Sequence, residues 1–275
     1  MKESIICFIG GGNMASSLIG GLLQTGVSAN NLRVADTNPN ALASYFPIQT
    51  YNDNLQAIQD ANVIVLAVKP QQMAEVAKSI ATALPEHPPL FISIAAGIRI
   101  ADLNRWLGKD RAIPIVRVMP NTPALVQSGA SALCASTHVS KQQHELAENI
   151  LRAVGLTVWL TDENMMDAVT ALSGSGPAYF FLLMEILEKT GVQLGLPQET
   201  ARLLTLQTAF GAAKMALESS EDAATLRARV TSKGGTTEQA INTLQASDIQ
   251  ALFDRALQAA QTRATSMADE YGEQA

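Results

Sequence analysis

Gly10, Gly12 and Ala15 have the clearest chemical purpose, spaced Gly-x-Gly-x-x-Ala directly behind an apolar run containing Ile5, Ile6, Phe8 and Ile9. The run predicts a buried strand. Met14, Leu18, Leu22 and Leu23 then recur at helical spacing, so the glycines fall at a strand-to-helix turn. Two glycines let the backbone turn tightly and approach a pyrophosphate, and small Ala15 lets the helix pack on the strand. The helix amino end presents N–H groups to phosphate oxygens. Glycine-rich turns without a ligand are common; the flanking strand and helix are what favour a dinucleotide site here.

Four further segments carry residues able to hold a ligand. Asp36 ends a short strand at Leu32–Ala35, where an acid either bonds the ribose of a dinucleotide or serves the turn into Asn38-Pro39. Ala67-Val68-Lys69-Pro70-Gln71 closes the most apolar strand, at the sheet edge where ligands bind; Pro70 holds Lys69 extended, either in the crevice or simply in solvent. Arg117-Val118-Met119-Pro120-Asn121-Thr122-Pro123 ends another strand in a loop stiffened by prolines, suited to orienting a ligand or to being a stiff turn. The fourth is a pair of glycine/serine loops, Ser173-Gly174-Ser175-Gly176-Pro177 and Thr231-Ser232-Lys233-Gly234-Gly235-Thr236-Thr237-Glu238. Each is expected to precede a helix, with Pro177 in one first turn and Thr236 with Gln239 as a capping box at the other. Such helix starts receive carboxylates well, although plain helix–loop–helix corners look the same.

What is missing bears on the reaction. His87, His138 and His144 lie outside all these segments, and no His/Asp/Glu cluster has metal-ligand spacing. A carbonyl reduced by hydride needs its developing oxyanion stabilised or protonated, whereas an imine that enters protonated needs little such help. The pattern fits reduction of C=N better than of C=O, with Lys69 as the one candidate acid against it.

The elements that position these segments alternate strand and helix over residues 1–161. Further strands are expected at 47–50, 62–68, 90–94, 113–118, 130–134 and 156–160, and helices at 70–84 and 101–107; a Ser140/Gln143 capping box starts another that runs to Ala153. This is an α/β, Rossmann-type doubly wound sheet domain. Residues 162–275 show only helical periods, over 177–190, 200–217 and 249–267. Pro197 suits a first turn, Gly191 and Gly195 mark stops, and Ser247 with Gln250 forms a further cap. The stretch Tyr179-Phe180-Phe181-Leu182-Leu183-Met184 is apolar all round, which fits a bundle centre or, preferably, a homodimer interface.

The 275 residues are 47% hydrophobic, enough for a sizeable core in two domains, and the formal net charge of −6 argues against nucleic-acid and anionic-membrane partners. ANVIVLAV and PPLFISIAAGI are too short to span a bilayer. Lys2 and Glu3 lead straight into a strand without a cleavage site, so no signal peptide is expected and the cytoplasm is the default. Cys7 and Cys134 are isolated and expected to be core residues.

The strings FIGGGNMASSLIGGL, LAVKPQ, SIAAGI, RVMPNTPALVQSGASAL, GLTVWL, TALSGSGPAYFF and VTSKGGTTEQAI together resemble pyrroline-5-carboxylate reductases, in order and over nearly the whole chain. The resemblance implies reduction of L-1-pyrroline-5-carboxylate to L-proline by NADPH or NADH. It implies a pyrophosphate cradle at Gly10, Gly11, Gly12, Asn13, Met14 and Ala15. Asn54, Ala67, Val68, Lys69 and Pro70 would also meet the cofactor, and Ala95 with Ala96 would line its nicotinamide side. Met119, Asn121 and Thr122 would lie near the reacting centre. Ser173, Gly174, Ser175 and Gly176, with Gly235, Thr236 and Thr237, would hold the substrate. Thr237 matches the threonine near the imine nitrogen and is expected to orient it or relay a proton. Thr37 falls where a hydroxyl meets the 2′-phosphate of NADPH, while Asp36 beside it repels that phosphate and favours NADH. Ser232-Lys233-Gly234 departs from the family, which often has proline or asparagine after the serine. The family dimerises through its helical half and often assembles into decamers. A β-hydroxyacid dehydrogenase shares the overall plan but needs a catalytic lysine in the helical half. Lys189 and Lys214 are available there, and neither lies in a glycine-rich segment.

Overall fold

A computed structural model of the protein describes residues 4–108 and 111–273. The expected lead-in at Lys2 and Glu3 lies outside the described residues. Among those described, eight strands form one sheet in the order β3-β2-β1-β4-β5-β6-β7-β8. They are β1 (Ile6–Ile9), β2 (Leu32–Ala35), β3 (Gln49–Tyr51), β4 (Val63–Leu66), β5 (Leu90–Ser93), β6 (Ile115–Met119), β7 (Gly129–Ala135) and β8 (Gly155–Trp159). All neighbours pair in parallel except β6 with β7. The order reverses direction at β1, which puts a crevice at its carboxyl end.

Both faces of the sheet are covered, which is why its central strands are continuously apolar. Ile6, Phe8, Val34, Val65 and Ile92 point to one side, against α1 (Asn13–Gln24). Cys7, Ile9, Ile64, Leu66 and Phe91 point to the other. After α2 (Pro39–Ala43) and α3 (Asn54–Ala57), that second side receives α4 (Pro70–Ala81) and α5 (Ile100–Leu107) through Met73, Ile80, Leu103 and Trp106. The first side is completed by α6 (Lys141–Arg152), whose start carries the expected capping box with both Ser140 and Gln143 bonds formed. Each fully buried Leu, Ile or Phe contributes roughly 2 kcal/mol. Cys7 and Cys134 are both buried in this unit; burial pushes the Cys7 thiol up to about 12 and also raises Cys134, so both stay neutral.

The remaining helices are α7 (Met166–Val169), α8 (Gly176–Gln193), α9 (Gln198–Glu218), α10 (Ala223–Arg229), α11 (Thr236–Ala246) and α12 (Ile249–Glu273). The chain divides into two compact units: the described residues up to Ser175 with those from Ala260 on, and Gly176–Ala259. The change from mixed to helical character at 161/162 is therefore not where packing divides the chain. Met166 is buried beside Ala132 and Cys134, and Ala264, Ala268 and Tyr271 are buried near the other end of the chain, so both flanking segments pack on the sheet unit.

Several local expectations are corrected. Ser247 ends α11 instead of capping α12: its hydroxyl donates to the Thr243 carbonyl, and Asp248 at φ +55° makes the turn. Gly235, not Thr236, is the N-cap of α11, with no side-chain cap bond, and Glu238 accepts from the Gly234 N–H at 2.7 Å. Pro197 is an N-cap residue, and Gly191 lies inside α8 because its missing Cβ lets Ala201 of α9 approach. The run Glu163–Gln193 is helical and, by length and composition, long enough to cross a membrane, with mean hydropathy 1.2. Only 11% of its most apolar window is buried.

Candidate active site

The carboxyl ends of β2, β1 and β4 lie side by side in register, with Ile9 opposite both Ala35 and Leu66. Gly10 therefore donates to the Ala35 carbonyl, and Ala67 donates to the Ile9 carbonyl, each at 2.8 Å. Gly10 holds φ +97°, and a Cβ there would lie 2.8 Å from the Ala67 carbonyl, so both conformation and space require glycine. Gly12 is the N-cap of α1 with ordinary dihedrals, and an added Cβ would meet nothing within 4 Å. No side chain caps α1, and its first turn carries no acid. The amino end of a long helix, with its N–H groups and partial positive charge, is left to an anion. An open glycine at an uncapped helix start is a fit for a dinucleotide pyrophosphate, with Asn13, Met14 and Ala15 supplying the first turn.

Asp36 is committed to this turn. One carboxylate oxygen accepts from the Gly11 N–H at 2.8 Å and the other from the Asn38 N–H at 2.8 Å; the Thr37 hydroxyl also donates to it at 3.4 Å. The turn-forming alternative for Asp36 is thus realised. Lys69, exposed and extended at φ −60°, ψ 143°, is the N-cap of α4, which likewise has neither a side-chain cap nor a first-turn acid. Asn54 opens α3 behind Asp53, whose carboxylate caps the Leu55 N–H at 2.8 Å. Ala95 and Ala96 follow β5, the next strand along the same edge.

β6 adds the Met119–Thr122 loop beside β5, and a neighbouring backbone feature meets it. Asn121 accepts from the Ala130 N–H at 2.8 Å and donates to the Ser173 carbonyl at 3.3 Å. A Cβ on Gly174 would lie 2.3 Å from the methyl end of Met119. Residues Met119, Asn121, Ser173 and Gly174 are thereby brought together. The Ser173–Gly176 segment is not the expected loop: Thr170–Gly174 is a π-helical turn, closed by the Ser175 N–H donating to the Thr170 carbonyl at 2.8 Å, and the helical path resumes at Gly176. Such turns are frequent at functional sites, because they open the regular backbone ladder. Gly235, Thr236 and Thr237 lie in the other compact unit, at the uncapped start of α11. None of the three histidines joins these segments; His144 stacks on Trp159 with ring centroids 3.5 Å apart.

Arg117 was legible as a residue of the loop motif, but its partners were not. It is buried in β6, bonds Glu163 at 2.8 Å and faces Asp167 at 3.8 Å. The same Glu163 oxygen accepts from the Ile100 N–H at 2.9 Å, and Asp167 accepts from the Thr265 hydroxyl at 2.8 Å. This network fixes the segment leading into the π turn against the strand that carries Met119. Arg117→Met leaves two carboxylates without their cation and is expected to lower the urea-unfolding free energy by about 3 kcal/mol; an unchanged midpoint and slope would show that the network adds nothing to stability.

A wound sheet with an uncapped helix start at its switch point is the arrangement of a dinucleotide-binding enzyme domain, here followed by helices. Residues 5–97 match the family model of the NADP oxidoreductases described as coenzyme F420-dependent, and residues 163–267 match that of pyrroline-5-carboxylate reductase dimerisation. The pyrroline-5-carboxylate reductase of Pseudomonas aeruginosa is 52% identical over 99% of this chain and 100% of its own length. Among solved structures, a pyrroline-5-carboxylate reductase from Coxiella burnetii is 46% identical with TM-score 0.91, covering 96% of this chain and 98% of that one. The Plasmodium falciparum enzyme, solved with NADP bound, is 29% identical with TM-score 0.87, over 98% and 99% of the two chains. The chain belongs to the pyrroline-5-carboxylate reductase family. Its dimerisation region explains why Phe180, Phe181 and Phe210, on α8 and α9, stay over 60% exposed in a single chain: the protein self-associates there.

Proposed function

We propose that the protein reduces L-1-pyrroline-5-carboxylate to L-proline, the last step of proline synthesis, with residues 1–161 as the dinucleotide-binding half and 162–275 as the substrate and dimerisation half. The observation that carries this reading is the match to pyrroline-5-carboxylate reductases over the full chain length. When bound, the reduced nicotinamide supplies the hydride equivalent that the imine carbon accepts. The chain's own part is binding and orientation. Gly10 to Ala15 take the pyrophosphate on the start of α1. Asp36 and Thr37 face the adenosine half, and Asn54 contacts the cofactor. Ala67 to Pro70, with Ala95 and Ala96, contact the remainder. Met119, Asn121 and Thr122, Ser173 to Gly176, and Gly235 to Thr237 are the proposed substrate-binding residues, with helix-start N–H groups receiving the carboxylate. The ring nitrogen enters protonated and carries its proton into the product amine, so no general acid is required; the Thr237 hydroxyl orients that nitrogen.

NADPH is the proposed cofactor, with NADH as the second. The Asp36 carboxylate is held in place by two backbone N–H groups and opposes a 2′-phosphate, while Thr37 would bond it. Asp36→Ser is accordingly expected to raise the ratio of kcat/KM for NADPH over NADH by about tenfold, the effect of removing one like-charge contact. An unmoved ratio would place Asp36 away from the ribose.

The protein is proposed to work in the cytoplasm as a homodimer, with a pentamer of such dimers as the larger assembly. Its apolar α8 face meets a second copy, not a bilayer or nucleic acid. The β-hydroxyacid dehydrogenase alternative is weakened by its lysines: Lys189 pairs with Glu185 and Lys214 with Glu218 on the same helices. A spectrophotometric assay separates the two. Nicotinamide absorbance should fall with pyrroline-5-carboxylate and stay flat when 3-hydroxyisobutyrate is offered with the oxidised cofactor; the reverse pattern would overturn the assignment.

A further inference from the structure

The last turns of α12 belong to the sheet unit and play no part in the reading above, yet they close on two segments of its carboxyl edge. Tyr271 is only 8% exposed. Its ring lies over Gly97, where an added Cβ would sit 3.2 Å from Tyr271 Cδ2 and where φ is +76°, so glycine is needed for both reasons. Its hydroxyl accepts from Gln71 Nε2 at 3.0 Å. Gln71 follows Pro70 at the start of α4, and Gly97 follows Ala96, so Tyr271 touches the segments behind both β4 and β5. Two neighbours hold it there: Asp269 pairs with Arg99 at 2.7 Å, and the Gly272 carbonyl accepts from Arg105 at 2.6 Å.

We propose that Tyr271 is a positioning residue for the dinucleotide, holding the Ala67-to-Pro70 and Ala95-Ala96 segments at a fixed separation through Gln71 and Gly97. It touches neither the reacting atoms nor the cofactor. Segments already ordered before binding lose less freedom on binding, so affinity rises without a new contact. The proposal rests on the assignment of those two segments to the cofactor.

Calorimetric titration of the full chain with NADPH tests it. Tyr271→Phe keeps the buried ring and removes only the bond, so the fold is retained. Both Tyr271→Phe and Gln71→Leu are expected to weaken NADPH about fivefold, the effect of one neutral hydrogen bond. The double variant should be no weaker than either single one, and the KM for the imine at saturating NADPH should not move. Lys69→Glu, a change at an exposed position, reports separately on the Ala67-to-Pro70 segment and should weaken NADPH by itself. If Lys69→Glu weakens binding while Tyr271→Phe leaves it unchanged, or if the two single losses simply multiply, the positioning role is wrong and the segment assignment stands. If Lys69→Glu also leaves affinity unchanged, the segment assignment fails and takes the proposal with it.

Discussion

Gly12→Val is expected to keep its fold with a loss of about 1 kcal/mol for the poorer N-cap residue, and to lose at least about 100-fold in dinucleotide affinity, the cost of a few charge-assisted hydrogen bonds. The expectation follows from an asymmetry between two glycines of one turn. A Cβ at Gly12 meets no protein atom within 4 Å and needs no unusual backbone, so the substitution has room at its first atom. It does occupy the space in front of the uncapped first turn of α1, where a pyrophosphate would have to lie. Gly10→Ala differs, because its Cβ would press on the Ala67 carbonyl and its φ of +97° is strained for alanine. That variant should lose stability first and affinity only as a consequence. Calorimetry on Gly12→Val beside its thermal unfolding curve separates the two effects. Unchanged affinity would mean that the start of α1 does not hold the nucleotide.

Thr237→Ala carries the second large effect. If its hydroxyl orients the imine nitrogen, removing it should lower kcat by about 10- to 100-fold, the range for one hydrogen bond to a charged group. NADPH affinity should stay within about twofold, since nothing in the pyrophosphate cradle changes. Thr237 is the second residue of α11, whose start already has its Gly234 N–H satisfied by Glu238, so the helix should survive the change. Thr237→Ser, which restores a hydroxyl, should recover most of the turnover. Equal kinetics in wild type and Thr237→Ala would remove the threonine from the site.

The sheet half was legible because its signals are local and redundant. Leu32–Ala35 matches its strand to the residue, and the Ser140/Gln143 pair makes both bonds of its box. Pro70 held Lys69 extended, as its ring requires. The errors fall where a residue pattern permits two outcomes. Ser173-Gly174-Ser175-Gly176 has the composition of a loop, and glycine costs a helix about 1 kcal/mol. Tertiary bonds from Asn121 nevertheless hold it as a π turn. Ser247 and Gln250 have capping-box spacing, but Asp248 accepts the left-handed conformation and ends one helix while starting the next. The return of α12 to the sheet, through Tyr271 to Gln71, joins residues far apart in the chain. No periodicity carries that information. The same holds for Arg117 with Glu163 and Asp167, because a single arginine in an apolar strand signals a buried partner without saying which one.

The decisive chemical event is transfer of hydrogen from a nicotinamide to a ring C=N carbon. Its most direct measurement supplies the protein with pyrroline-5-carboxylate and NADPH carrying deuterium in the transferable position at C4, followed by NMR of the product. The expected product is L-proline with a single deuterium at C5, formed in step with cofactor oxidation. Unlabelled proline, or cofactor oxidation that proceeds without the imine, would contradict it.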